Sequence, residues 1–140
     1  MKIIAHRINS IKAIKSLVAD GFDVEVDFWY VKGAFFIGHD APEKKIDISL
    51  LNRNVVWSHA KNLAALERLL RNGFNCFFHD SDQCVLTSRR LIWTYPGKPV
   101  GKRSIALFPK KITKKLLQCY GLCVDEPVKW RSLLCQKNPT

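Results

Sequence analysis

Residues 3–40 read IIAHRINSIKAIKSLVADGFDVEVDFWYVKGAFFIGHD, and the way this stretch divides into elements decides the fold. Asn9 or Ser10 can cap a helix whose apolar residues Ile11, Ile14, Leu17 and Val18 fall at helical spacing. Gly21 stops it, because a residue without Cβ enters the left-handed position after a helix at little cost. The apolar run FDVEVDF then reads as a buried strand. The same plan returns at residues 61–80, KNLAALERLLRNGFNCFFHD, with Asn62 as cap, Leu63, Leu66, Leu69 and Leu70 as the stripe and Gly73 as the stop. It returns again at residues 112–127, ITKKLLQCYGLCVDEP, with Thr113, Leu116, Leu117 and Gly121. Helix, glycine and apolar strand in repetition predict βα units around a parallel sheet.

Further short apolar runs lie between these units. Taken together, KIIA, VEVDF, VVWS, CFF, LIWTY, SIALF and LCV predict about seven strands, each apolar enough to be covered on both faces. Residues 83–109 carry no helical stripe, and Pro96, Pro99, Pro109 and Pro127 punctuate the second half. Residues 1–140 therefore read as a single domain whose later strands lack helices.

Composition narrows the class. Hydrophobic residues make up 47% and charged residues 25%, which suits a globular core. No run approaches the roughly 18–20 apolar residues of a membrane span. The start, MKIIAHR, turns polar after three apolar residues, so no signal peptide is expected and the expected location is cytoplasmic. Cys76, Cys84, Cys119, Cys123 and Cys135 are odd in number and form no C-x-x-C pair, so buried free thiols are expected rather than disulfides or a cysteine zinc site.

The net charge is +11 and uneven: residues 71–140 hold 13 basic and 4 acidic residues, with six Lys or Arg in residues 101–115, GKRSIALFPKKITKK. Such a surface attracts phosphates, nucleic acid or anionic lipid, or is simply a solvated face. Nothing in the sequence matches a specific nucleic-acid-binding motif.

The chemistry-bearing residues sit where apolar runs end. His6 follows KIIA, His39 follows FFIG, His59 follows VVWS and His79 follows CFF. In parallel α/β folds the C-terminal strand ends are where active sites form. Glu25 and Asp27 are two apart on one strand and face the same way. Burying both calls for a cation between them, and oxygen ligands favour Mg²⁺, Ca²⁺ or Mn²⁺. The alternatives are a solvated strand face or pairing of Arg7 with Glu25.

The order H-R, then E-x-D, then H-D within residues 1–40 resembles the N-terminal half of the glycerophosphodiester phosphodiesterase family, part of the phosphatidylinositol-phospholipase-C-like phosphodiesterases. The resemblance implies a TIM barrel that cleaves phosphodiesters with one divalent metal cation, Mg²⁺ or Ca²⁺. It implies His6 and His39 as the catalytic acid/base pair, Arg7 as a phosphate contact, and Glu25 and Asp27 as metal ligands. Further on, WSHAKN is similar to the family strand that ends in an acid, a spacer and Lys. His59 stands in the acid's place and Lys61 in the lysine's, the latter a second phosphate contact. An imidazole there would turn the site toward Mn²⁺ or Zn²⁺. Asp125 in GLCVDEP matches the family's last strand, while Asp40, His79 and Asp125 are accessory candidates.

The length departs from the family, since 140 residues leave roughly 17 for each unit of an eight-fold barrel. The expected fold is a shortened TIM-type (β/α) barrel with several outer helices missing in its second half. An exposed wall carrying Trp93, Tyr95 and Phe108 would then call for a homodimer. The expected function is a phosphoric diester hydrolase acting on a glycerophosphodiester-like substrate or an anionic polymer such as a teichoic-acid-like or capsular chain. Trp57, Trp93 and Tyr95 are candidates to stack on such a substrate. The alternative is an inactive phosphate- or polyanion-binding module on the same barrel. A zinc hydrolase built from the four histidines lacks the H-x-H or H-E-x-x-H spacing.

Overall fold

The computed structural model describes residues 1–137. The chain opens with strand β1 (Lys2–Ala5), helix α1 (Ile11–Ala19) and the long strand β2 (Asp23–Val31). A hairpin, β3 (Ala34–Ile37) and β4 (Lys44–Ile46), and a 3₁₀ turn at Ile48–Leu50 lead to β5 (Val56–Ala60), α2 (Leu63–Arg71) and β6 (Asn75–Phe77). Next come β7 (Cys84–Leu86), β8 (Ile92–Thr94), β9 (Ser104–Leu107), the single turn α3 (Lys114–Leu117), β10 (Gly121–Val124) and α4 (Pro127–Lys137). The fold is mixed α/β: ten strands in one mostly parallel sheet, with four helices among the described residues.

Seven of these strands are parallel, in the spatial order β6-β5-β2-β1-β10-β9-β8, so neighbours in space are consecutive parallel strands in sequence except at the middle, where the first, β1, pairs with the last, β10. β3 and β7 add antiparallel edges to β2 and β8. The sheet curves far enough for side chains of β6 and β8, the outermost of the seven, to touch. Phe77 of β6 stacks on Trp93 of β8 with ring centroids 4.6 Å apart. No ladder joins these two strands among the described residues, so strand pairing does not close the ring. Ser88 bridges the seam instead: its N–H donates to Cys76 O (2.9 Å), and its hydroxyl accepts from Cys76 N–H (3.0 Å) and donates to Phe74 O (3.1 Å).

Two apolar layers follow from this curl. Inside, Ile4, Trp57, Phe77, Trp93, Ile105 and Cys123 pack together from six different strands. Outside, α1, α2 and the hairpin cover Val24, Val26 and Phe28 of β2. The stripe of α1 packs as its spacing predicts. In α2 the buried residues are Ala65 and Leu69, whereas Leu63 and Leu70, seven residues apart, share a helix face that is exposed.

Several expectations change on contact with the structure. Trp93 is buried and borders a cavity, and Trp57 is buried with its indole N–H donating to Asp23 (3.0 Å), so the exposed aromatic wall invoked for a homodimer is not there. Cys76, Cys119 and Cys123 are buried, but Cys84 and Cys135 are exposed. α4, which the sequence reading did not anticipate, runs back against β1 and β10 and is pinned by Arg131, whose guanidinium donates to Asp20 O (2.7 Å) and lies over the Phe22 ring. No helix among the described residues is long and apolar enough to cross a membrane.

Gly121 does not stop α3; it opens β10 with its backbone against β1. A Cβ at that position would stand 2.9 Å from Lys2 O, which belongs to a backbone that cannot swing aside. Gly121→Ala should therefore cost about 1–3 kcal/mol of stability by forcing the two strands apart. Urea unfolding measures this; a midpoint equal to that of the parent protein would contradict the close packing.

Candidate active site

Three acidic side chains, Asp23, Glu25 and Asp27, alternate along the inner face of β2, and all are buried. The first is neutralised structurally: Lys2 Nζ lies 2.9 Å from Asp23 Oδ1 and the Trp57 indole serves Oδ2. The other two lie toward the C-terminal end of the strand and have no comparable cation. Glu25 Oε2 accepts the Arg7 backbone N–H at 2.7 Å. That bond exists because the chain leaving β1 turns into the left-handed region at Arg7 (φ 52°), a conformation that strains a residue with a side chain. The pairing of Arg7 with Glu25 is thus made by the backbone, leaving the guanidinium to line the cavity.

Asp27 is held from two sides. Asn9 donates its side-chain N–H to Oδ2 (2.9 Å) and accepts the Asp27 backbone N–H (3.0 Å). His39 Nδ1 is 3.3 Å from the same Oδ2. His39 is placed by Gly38 (φ 154°), where a Cβ would collide with Ala41 O. The remaining oxygen, Asp27 Oδ1, is buried and has no hydrogen-bond donor. His59 Nδ1 stands 2.9 Å from it, off the line that an N–H would need, and Lys61 Nζ is 3.8 Å away. His59 Nδ1 is also 3.7 Å from Glu25 Oε1.

Ligand atoms of Glu25, Asp27 and His59 all lie within 4.8 Å of one another. Two carboxylate charges at about that separation repel by roughly 3–4 kcal/mol at an effective dielectric near 20, a large share of the roughly 5–15 kcal/mol that stabilises a domain. Burial, and then the Asp27 charge, push the Glu25 carboxyl up to about 8, against the pull of the Arg7 N–H. Burial also pushes Asp27 up, but His59, Asn9 and Lys61 outweigh it and hold that carboxyl at about 2. An orphaned carboxylate oxygen facing an imidazole nitrogen about 3 Å away is the spacing of neighbouring ligands on a cation bound at about 2.1 Å. The residues present fit a divalent metal, with His59 favouring Mn²⁺ or Zn²⁺ over Ca²⁺.

Around this centre the other strand ends converge on one cavity of about 300 Å³, lined by His6, Arg7, Glu25, His39, His59 and Lys61 on one side and His79, Tyr95 and Phe108 on the other. His6 follows β1, and its Nδ1 lies 3.0 Å from Asp125 Oδ1 at the end of β10. Since a carboxylate only accepts, Nδ1 carries the proton in that bond and Nε2, 4.0 Å from Glu25 Oε2, is left as the basic atom. Burial lowers the His6 pKa despite Asp125, so the ring is neutral near pH 7. Burial likewise lowers His59. His79 stacks on His59 (4.4 Å between centroids) and pairs with the Tyr95 hydroxyl; burial and then His59 bring its pKa down to about 4. Asp40 is exposed, 3.6 Å from His39 Nε2.

His6, Arg7, Glu25, Asp27, His39, Asp40, His59, Lys61, His79 and Asp125 all lie in this cluster or on its rim, whereas Trp57 does not. Of the two cap candidates, Ser10 is the residue from which α1 starts, and Asn9 instead holds Asp27. Tyr95 faces the cavity rather than an outer wall, and Phe108 (φ 43°) sets its ring edge-on to His6 at 4.6 Å. Asp23 was not singled out, and its pairing with Lys2 was not legible because the two are 21 positions apart. No family model, curated protein or solved structure matches this chain, so the family resemblance rests on its motif residues.

Two predictions follow from the carboxylate pair. In the metal-free protein, Glu25 has a folded pKa of about 8 above its ordinary 4.5, so its contribution to stability is present below pH 4.5 and is lost as pH rises through 8. The depressed histidines act oppositely but finish titrating near their ordinary 6.5. Between pH 6.5 and 8 the melting temperature in chelator should therefore fall, and Glu25→Gln should flatten that slope; an identical slope in the variant would refute the assignment. Adding Mn²⁺ or Zn²⁺ should raise the melting temperature more at pH 8 than at pH 6, because binding displaces the proton. Asn9→Ala, which frees the Asp27 carboxylate to rotate, should weaken that metal affinity about 10–100-fold by titration calorimetry.

Proposed function

We propose that this chain is a metal-dependent phosphodiester hydrolase built on a shortened (β/α) barrel, the seam between β6 and β8 being where the ring lacks a ladder. One observation carries the reading. The buried Glu25–Asp27–His59 centre, with an unbonded Asp27 oxygen, shares a 300 Å³ cavity with three further imidazoles and two cationic side chains. Carboxylates and imidazoles at a buried centre, with Arg and Lys beside them, suit an anionic substrate rather than a neutral one.

A divalent cation held by Glu25, Asp27 and His59 would polarise a non-bridging phosphate oxygen and offset developing negative charge. Arg7 and Lys61 add donors to the same phosphate, the guanidinium able to bind two oxygens at once. His6, neutral and held by Asp125 with Nε2 free, accepts the proton of the attacking hydroxyl as its oxygen bonds to phosphorus. The P–O bond to the leaving oxygen breaks, and His39, oriented by Asp27 and Asp40, supplies that oxygen with a proton. His79 and Tyr95 fix the far wall. The free thiols of all five cysteines agree with a reducing compartment such as the cytoplasm.

Hydrolysis of bis(p-nitrophenyl) phosphate after chelation, with Mg²⁺, Ca²⁺, Mn²⁺ and Zn²⁺ restored one at a time, tests the proposal. Activity should return with Mn²⁺ or Zn²⁺, and His6→Ala should lower kcat about 10²–10⁴-fold with an unchanged circular dichroism spectrum. Full activity in that variant would remove His6 from the mechanism. Silence with every metal would favour a polyanion-binding module on the same scaffold.

A further inference from the structure

On the other side of the wall formed by Tyr95, Pro96, Leu107 and Phe108 lies a second depression of about 570 Å³, between the loop after β8 and the segment joining β9 to α3. Its floor is apolar, with Val100, Ala106 and Leu116, and its rim carries Lys98, Lys110 and Lys111. Lys110 and Lys111 also border a third depression, of the same volume, which α4 completes with Trp130, Leu133 and Lys129. The first and second depressions share the wall residues, and the second and third share Lys110 and Lys111, so the three lie side by side.

Charge along this track is one-sided. No acidic residue lines the second depression. In the third, Glu126 is occupied by Lys129 at 2.9 Å. Lys98, Lys110 and Lys111 make no ion pair among the described residues and are exposed. A single small diester fills the first cavity and has no use for three lysines beyond it. A substrate that carries a second and third phosphate does, because each phosphate placed there meets an ammonium group while its linker lies on the apolar floor.

We infer that the groove through Lys98, Lys110 and Lys111 is a subsite for the phosphates that follow the scissile one, so that the substrate is a phosphodiester-linked polyol chain. This rests on the hydrolase reading for its direction but not for its binding. The linker is assigned as a polyol rather than a nucleoside because the rings that line the second depression, Tyr95 and Phe108, belong to the wall it shares with the catalytic cavity, and the residues between its lysines, Val100, Ala106 and Leu116, give bases nothing to stack on.

The test uses propanediol phosphate oligomers, which carry no bases, with one to six phosphates and the full-length His6→Ala protein, so that binding is read without turnover. Affinity by titration calorimetry should rise about tenfold per phosphate, the size of one charge-assisted hydrogen bond, up to three or so phosphates and then level off. In the same background Lys110→Ser/Lys111→Ser should reduce the ratio of long to short affinity to about threefold or less, and the salt dependence of the longer oligomers should weaken. Equal affinity for one and six phosphates would overturn the subsite even if the chromogenic diester is hydrolysed. A length-dependent gain with no hydrolysis by the parent protein would keep the subsite and sink the enzyme. Tighter binding to oligodeoxynucleotides of equal phosphate count would overturn the polyol assignment. Lysine-dependent capture by phosphatidylserine-containing vesicles, without any length effect, would instead assign the groove to a membrane surface.

Discussion

Mutual repulsion between Glu25 and Asp27 is the constraint around which the rest of this molecule is arranged. Two buried carboxylates on one strand face cannot both ionise without help, and the help visible here is partial and lopsided. Asp27 receives Asn9, His39 and a distant Lys61; Glu25 receives one backbone amide, obtained by twisting Arg7 into a strained conformation. The strain at Arg7 and the tight turn at Gly38 are costs that packing alone does not require. Both serve to aim groups at the same pair of carboxylates. Asp23, two residues earlier on the same face, shows what full neutralisation looks like: a lysine and an indole N–H, with nothing left over. The contrast between a satisfied carboxylate and an unsatisfied one, on one strand, separates framework from chemistry.

Aromatic stacking carries that chemistry across the sheet. Phe77 lies parallel to His59, His59 to His79, and Phe77 in turn packs on Trp93. Ring planes held this way cannot swivel freely, so the imidazole nitrogens keep their bearing toward β2. The same column fills the space between β6 and β8, where hydrogen bonding is interrupted. Packing and site geometry are therefore served by the same few rings, and both depend on strands that are only three residues long.

Much of this was legible because the chain states it locally. The helix–glycine–strand plan locates β2, β6 and β10, and apolar runs of four or five residues locate β1, β5, β8 and β9; β3, β4 and β7 were not among the seven strands expected. The strand-end rule collects His6, His39, His59 and His79 before any coordinates are known. What was not legible depends on which way a side chain turns or on what lies opposite it. Asn9 reads as a cap because capping is the commonest local use of Asn, and only the register of β1 against β2 turns it toward Asp27. Trp93 reads as an outer residue because alternation in a three-residue strand gives too few positions to fix a face. Gly121 reads as a helix stop by analogy with Gly21 and Gly73, but its φ is not left-handed, and its small size matters across the sheet instead.

Ser88 has a consequence for how the molecule behaves in company. An open strand side such as that of β6 presents backbone groups on which another chain can template, the usual route to edge-to-edge association. Here one hydroxyl and one amide occupy the Cys76 N–H and C=O, and the same hydroxyl reaches Phe74 O. A serine in a turn thus does the work of a missing strand. At this edge the Cys76 backbone groups are already taken, and a neighbouring strand has nothing there to pair with.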